Sequence, residues 1–252
     1  MTRPVVVITG ASRGIGKRLA VDFAAAGYDV ACLARSTEGS GAKLPGTIDE
    51  TAEAVRAAGG AALPIGIDIR SEEAVEAAAE RVYGEFGRCD VLINNAAVAV
   101  PGKTMELPTK LWRVGVDVNV NGPLYTTVHF GRRTMEATGR IINVSSNAAW
   151  MPEFGRINYL ATKRALEGMT EGFAFELRGK IAVNCIRIEL MIWTEGFAET
   201  LGNPDERTGF EDPVIMSDAA LWLAKQPLDY TGHILTLGEL RNSGVVRAVT
   251  PA

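Results

Sequence analysis

The chain has 252 residues, 47% of them hydrophobic, and a formal charge of −4. A single α/β domain of this length buries roughly 70–75% of its unfolded surface, and an acidic balance without a basic run excludes the electrostatic footprint of a nucleic-acid binder. The opening, MTRPVVVITG, enters a strand without a signal-like apolar region, and no apolar run is long enough to span a bilayer, so a cytoplasmic protein with no membrane partner is expected. Cys32, Cys89 and Cys185 stand apart in or beside apolar runs, with no CxxC and only His129 and His233 as other soft ligands; buried thiols and no metal site are expected.

Pro4 to Thr9 (PVVVIT) is a β-branched apolar run suited to a strand buried on both faces of a parallel sheet. Gly10, Ala11, Ser12, Arg13, Gly14, Ile15 and Gly16 follow, and Ile15, Leu19 and Phe23 then recur as one face of a helix. A glycine turn between strand and helix lets backbone N–H groups meet a pyrophosphate at the positive helix end. The next strand, Tyr28 to Ala34, ends where a dinucleotide fold that prefers NAD carries an acid for the adenosine ribose. Here Arg35, Ser36 and Thr37 stand there, with Arg13 approaching from the glycine turn. Cations and hydroxyls suit a 2′-phosphate, which favours NADP(H) over NAD(H).

Ser36 to Gly46 reads as a long loop with Lys43 as a further phosphate candidate, and Thr47 to Glu50 has capping-box spacing for a helix ending at Gly59 and Gly60. Ala62 to Ile67 is a third strand; Asp68 and Ile69 follow it where adenine is expected, with Asp68 as an acceptor for the exocyclic amine or as a turn residue. Ser71 opens a helix with Ala74, Val75, Ala78, Ala79 and Val82 on one face. After the short strand Asp90 to Ile93, the amides and small side chains of Asn94, Asn95, Ala96 and Ala97 suit close approach to a ribose and equally suit a plain turn. Leu107 to Met135 reads as one helix or a broken one, with a kink near Asn119 that frees backbone groups for a water or a lysine.

Arg140 to Ser145 (RIINVS) is another strand, which places Ser145 and Ser146 where strand gives way to loop. A hydroxyl there can polarise a substrate oxygen. The spacing of Leu160, Met169 and Phe173 predicts a helix over 157–178, which puts Tyr159 and Lys163 on one face. A free phenol loses its proton only near pH 10, so proton transfer near neutrality needs a neighbouring cation to favour the phenolate. Lys163 can be that cation. Ile181 to Ile188 is a buried strand. Glu189 to Asp212 is irregular and carries Trp193, Phe197 and Phe210, exposed aromatics suited to a lid over an apolar ligand. Ser217 to Lys225 reads as a helix and His233 to Leu237 as the last strand.

Strand and helix alternate throughout, with the glycine turn first and Ser, Tyr and Lys in the second half. This pattern resembles the classical short-chain dehydrogenase/reductase family over essentially the whole chain. The matching residues are Thr9 to Gly16 (TGASRGIG), Asp68, Asn94 to Ala96, Asn119, Ser146 and Tyr159 to Lys163 (YLATK). The resemblance implies an α/β, Rossmann-type, doubly wound parallel sheet in one domain over 1–252, and a homodimer or homotetramer joined through the long helices. It also implies that Tyr159 is the acid/base, that Ser146 positions the substrate oxygen, that Lys163 holds the nicotinamide ribose and favours the phenolate, and that Asn119 anchors a relay water. Of the two serines, Ser146 has the family spacing to Tyr159.

Two departures from the family pattern stand out. Ala97 replaces a usual glycine, and Ile188 with Glu189 replaces a usual Pro-Gly beside the nicotinamide, a change expected to shift the lid, alter substrate class or weaken cofactor binding. The stretch Leu44 to Thr47 is similar to that of the hydroxysteroid dehydrogenase-like subgroup. The reading is an NADP(H)-dependent oxidoreductase interconverting a secondary alcohol and a carbonyl. Trp150, Met151, Phe154, Trp193 and Phe197 point to an apolar or aromatic substrate. The alternatives are a catalytically silent NADP(H)-binding sensor or scaffold, and dehydration or epimerisation on the same site.

Overall fold

Alternate residues of the first strand, β1 (Val5–Thr9), divide the core in two. Val6 and Ile8 pack with Leu19 and Phe23, whereas Val5 and Val7 pack with Val75 and Val82 on the opposite face. A strand with no polar face needs cover on both sides, and this one has it. The computed structural model describes residues 3–40, 44–134, 139–195 and 209–247. Lys43 and Phe197 lie outside them.

Among the described residues, β1 is joined by β2 (Asp29–Ala34), β3 (Ala62–Gly66), β4 (Val91–Asn94), β5 (Gly139–Ser146), β6 (Ile181–Ile188) and β7 (Ile234–Thr236). All pair in parallel, in the order β3-β2-β1-β4-β5-β6-β7. One face is covered by α1 (Gly14–Ala25), α2 (Ile48–Ala57), α7 (Val214–Ala224) and α8 (Leu237–Asn242), the other by α3 (Glu72–Phe86), α5 (Gly122–Thr134) and α6 (Ile157–Glu176). This is a single-domain, Rossmann-type doubly wound sheet. The three cysteines are free and buried inside it, and burial pushes the Cys32 and Cys185 thiols up to about 12.

Local chemistry sets several boundaries. The Thr47 hydroxyl accepts from the Glu50 N–H at 3.1 Å to start α2, and Ser71 accepts from Ala74 at 3.2 Å to start α3. The expected helix over 107–135 is divided: α4 (Thr109–Val116) passes into a wide turn at Asp117–Asn121, hydrogen-bonded five residues apart, before α5 begins. The C-terminal strand is shorter than expected and gives way to α8, whose capping box joins Thr236 and Glu239.

The segment expected as a lid of exposed aromatics differs. Its two described limbs pair, with the Trp193 N–H on the Glu211 carbonyl at 3.0 Å and the Glu211 N–H on that of Met191 at 2.7 Å. Phe210 is buried against the core and Trp193 is half-buried, because this pairing turns the return limb inward. No helix among the described residues is long and apolar enough to cross a membrane.

α4 and α6 meet where Gly115 faces buried Asn158, whose amide donates to the Trp112 carbonyl at 2.9 Å. A β-carbon at Gly115 would overlap Asn158 Oδ1. Gly115→Ala is therefore expected to destabilise the fold by about 2 kcal/mol through overpacking, read as a lower urea midpoint with an unchanged slope. An unchanged midpoint would contradict the close approach.

Candidate active site

Strand order reverses between β1 and β4, so the loops after these strands diverge and leave a crevice at the carboxyl ends of the sheet. A cavity of about 390 Å³ lies there, bounded by the segments that follow β1, β2, β3 and β4. Of the predicted cofactor residues, Gly10, Ser12, Arg13, Arg35, Ser36, Asp68, Ile69, Asn95 and Ala96 line it. Gly14, Ile15, Gly16, Tyr159 and Lys163 are not among its lining residues.

Backbone contacts explain the glycines. Gly10 has φ +67, and a β-carbon on it would stand 2.9 Å from Ala96 Cα, so glycine permits both the left-handed turn and the close approach of the segment after β4. Thr9 secures that contact: its hydroxyl accepts from the N–H groups of Asn95 and Ala96 at 3.1 Å each. The Asn95 amide donates to the Thr9 carbonyl at 2.9 Å. At Gly16 a β-carbon would overlap the Gly10 carbonyl, so this glycine seats α1 on the turn. Ile15 packs its side chain on the core.

At the β2 end, Arg13 does approach as expected. Its Nη2 donates to Ser36 Oγ and to the Leu44 and Gly46 carbonyls, each at 3.0 Å, and its Nε to the Pro45 carbonyl at 2.7 Å. The same guanidinium therefore folds the 44–46 loop against the cavity rim. Arg35 lines the same end. Asp68 is gripped by the fork of Arg70 at 2.9 and 2.6 Å, which, against partial burial, holds its carboxyl below the usual carboxylate range.

Ser146 ends β5, and its Oγ accepts from the Ala148 N–H at 3.2 Å, closing a short turn over Asn147–Ala149. Tyr159 and Lys163 occupy successive turns of α6, with the ammonium 5.6 Å from the phenol ring centroid. Lys163 is 2% exposed and donates to the Val144 carbonyl at 2.7 Å. Asn119 lies in the wide turn, buried. Its Oδ1 accepts from the Val98 N–H at 2.9 Å, and its Nδ2 donates to the Val98 carbonyl at 2.8 Å and to Thr162 Oγ1 at 3.0 Å. The side chain thus ties the segment after β4 to α6.

A charged cluster behind Ser146 escaped the sequence reading. Glu167 Oε1 accepts from Ser145 Oγ at 2.8 Å and Arg187 Nε at 2.9 Å; Oε2 accepts from Trp150 Nε1 at 2.7 Å and Arg187 Nη2 at 2.8 Å. Arg164 stacks on the Trp150 ring at 3.9 Å and donates to the Ala149 carbonyl. Trp150, expected as pocket wall, is thus fixed by α6, while Met151 and Phe154 remain exposed. The available signal was the continued spacing of four in Tyr159, Lys163 and Glu167. Glu189, in the family's Pro-Gly position, accepts from the Leu237 N–H at 3.1 Å and from that of Gly238, so its carboxylate holds the start of α8.

The sequence matches the family model described as short chain dehydrogenase over residues 4–200. Similar curated proteins include hydroxysteroid dehydrogenase-like protein 2 of Bos taurus, 34% identical over 258 residues, with 98% of this chain and 60% of that protein covered. The Danio rerio protein of the same name is 33% identical, with 91% and 56% covered. The chain spans less than two thirds of the length of these relatives. Among solved structures, a short chain dehydrogenase of Mycobacterium thermoresistibile is 32% identical with TM-score 0.88, covering 99% of this chain and 92% of that one. An actinorhodin polyketide ketoreductase solved with NADPH is 26% identical with TM-score 0.82, covering 94% and 97%.

Burial pushes the Glu167 carboxyl up, but the bonds from Arg187, Ser145 and Trp150 outweigh it and leave the group below its ordinary value. A folded-state value below the unfolded one means stability that is complete above the unfolded value, about pH 4.3, and lost as pH falls through the folded value. Glu167→Gln is expected to cost about 3 kcal/mol at pH 7 by leaving Arg187 without its charge partner, and to flatten the acid side of the stability profile. Urea unfolding from pH 3 to 7 checks both; parallel profiles for the two proteins would contradict the assignment.

Proposed function

The chain belongs to the short-chain dehydrogenase family, and from that premise we propose that it is an NADP(H)-dependent oxidoreductase interconverting a secondary alcohol and a carbonyl. The observation that carries this reading is the single helical face of α6 on which Tyr159 and Lys163 stand beside the end of β5, where Ser146 emerges. A bound dinucleotide would supply a hydride donor or acceptor for the carbonyl carbon. The groups that favour its binding are Gly10 in the cavity wall, the amino end of α1 next to it in the chain, and Arg13, Arg35 and Ser36 as the site of a 2′-phosphate.

Tyr159 is the acid/base in this reading, donating its phenolic proton to the oxygen in reduction and taking it back in oxidation. Ser146 donates to the same oxygen and fixes its direction. Lys163, oriented by the Val144 carbonyl, places positive charge beside the phenol and leaves its remaining N–H groups for ribose hydroxyls. Asn119 acts through Val98 and Thr162, positioning α6, since its side-chain amide is engaged by them; a relay water in this reading rests on the backbone of the wide turn. Exposed Met151 and Phe154, with Trp150 beside them, favour a substrate of medium size that is apolar or aromatic. A cytoplasmic homodimer or homotetramer completes the reading.

A catalytically silent nucleotide binder is the second reading. What favours it is Glu189, which replaces the family's Pro-Gly and is committed to α8.

Tyr159→Phe is expected to lower kcat at least about 100-fold for whichever ketone the enzyme reduces fastest, with NADPH affinity within about twofold of the parent. Substantial residual turnover would overturn the role of Tyr159; tight NADPH binding by the parent without turnover across apolar and sugar ketones would favour the silent reading. Arg35→Ser is expected to weaken NADPH about tenfold or more while leaving NADH nearly unchanged in fluorescence titrations. Equal weakening of both nucleotides would remove the 2′-phosphate assignment.

A further inference from the structure

The amino end of α1 already has an anion, and the chain itself provides it. α1 makes no cap of its own: Arg13 at its N-cap forms no side-chain capping bond, and the first turn holds no acid. Instead the Gly14 N–H donates to Glu195 Oε2 at 3.0 Å, from a residue 181 positions later. Thr194 lies against the same glycine, its Cβ and Cγ2 each 3.2 Å from where a β-carbon of Gly14 would stand. A carboxylate here meets both an unpaired helix N–H and the positive end of the helix dipole, the two features that hold phosphate oxygens at such turns.

Glu195 is delivered by a segment fixed on several sides. At its start, Glu189 is bound to the amides of Leu237 and Gly238. Further on, Ile192 pairs with Glu211, and Trp193 donates to the Glu211 carbonyl at 3.0 Å. The return limb is tied to α1 through Arg18 and Asp212 at 3.0 Å and to α8 through Arg241 and Glu211 at 2.8 Å. Among the described residues Glu195 forms no ion pair, and its carboxylate meets the glycine turn through the Gly14 N–H.

We infer that Glu195 is an affinity-setting residue of the cofactor site, an internal carboxylate that competes with the dinucleotide's diphosphate for the amino end of α1. The inference rests on the cofactor reading above. When a diphosphate binds, Glu195 either leaves the Gly14 N–H or lies beside like charge, and in both cases affinity falls below what the cavity alone would give. The effect acts on the diphosphate that NADPH and NADH share, so it is independent of Arg13 and Arg35 and of the choice between the two nucleotides.

The test is a titration of the whole protein, Glu195→Gln and Glu195→Ala with NADPH and with NADH, followed by nicotinamide fluorescence at low and high salt. Both nucleotides are expected to bind both variants about tenfold more tightly, with the gain shrinking at high salt. Adenosine 2′-monophosphate, which lacks a diphosphate, is expected to compete equally well against all three proteins once its affinity is corrected for the probe's. Unchanged or weaker nucleotide affinity in both variants would overturn the inference while leaving the cofactor reading intact, as would an equal gain for the monophosphate. Failure of all three proteins to bind either nucleotide would overturn the cofactor reading itself, and the inference with it.

Discussion

Helix α6 is registered against the ends of β5 and β6 by one stripe of side chains, and the geometry of the candidate active site depends on that registration. Tyr159, Lys163 and Glu167 stand four residues apart. Lys163 reaches the Val144 carbonyl, and one turn later Glu167 binds Ser145 and Arg187. Burying an ammonium and a carboxylate is costly unless each finds fixed partners, so a slip of α6 by one residue would strand both charges. Glu167 also accepts from Trp150 Nε1, and Ser146, next to Ser145 at the strand end, is turned by the Ala148 N–H. The phenol thus inherits its position from charges it does not touch.

The other half of the site is built from backbone. Where strand order reverses, the glycine turn after β1 and the segment after β4 touch so closely that a β-carbon on Gly10 would press on Ala96, and Thr9 binds the two together. Asn119 then links the segment after β4 to α6 through Val98 and Thr162. A chain of short contacts therefore runs from the glycine turn to the helix carrying Tyr159 and Lys163. In the proposed function, this connection would let the nucleotide half and the proton-transfer half of the site keep a constant spacing although they lie more than a hundred residues apart in sequence.

The sheet was legible because its signals are local. Runs such as PVVVIT and IAVNCIRI lack a polar face, and Thr47 and Ser71 announce helices within four residues. The Tyr159 and Lys163 pair was legible for the same reason, since one helical turn relates them. Glu167 was not, because its partners Ser145, Trp150 and Arg187 lie on three other segments and Arg187 reads as the odd cation of an apolar strand. The break near Asn119 was legible, whereas the engagement of its amide by Val98 and Thr162 is a tertiary fact. Phe210 was expected to be exposed because its neighbours are glycine-rich; the pairing of Ile192 with Glu211, 19 residues apart, turns it inward. Glu189 was read only as part of a departure beside the nicotinamide and Glu195 was not singled out; both accept from N–H groups at the starts of distant helices.

The most direct measurement is a crystal structure of the protein with NADPH. The account predicts the 2′-phosphate between Arg13 and Arg35, the nicotinamide ribose hydroxyls on Lys163 with the nicotinamide facing Tyr159, and the Glu195 carboxylate either drawn off the Gly14 N–H or lying beside the diphosphate. A nucleotide seated with its adenosine ribose away from Arg35, or with its nicotinamide remote from Tyr159, would contradict it.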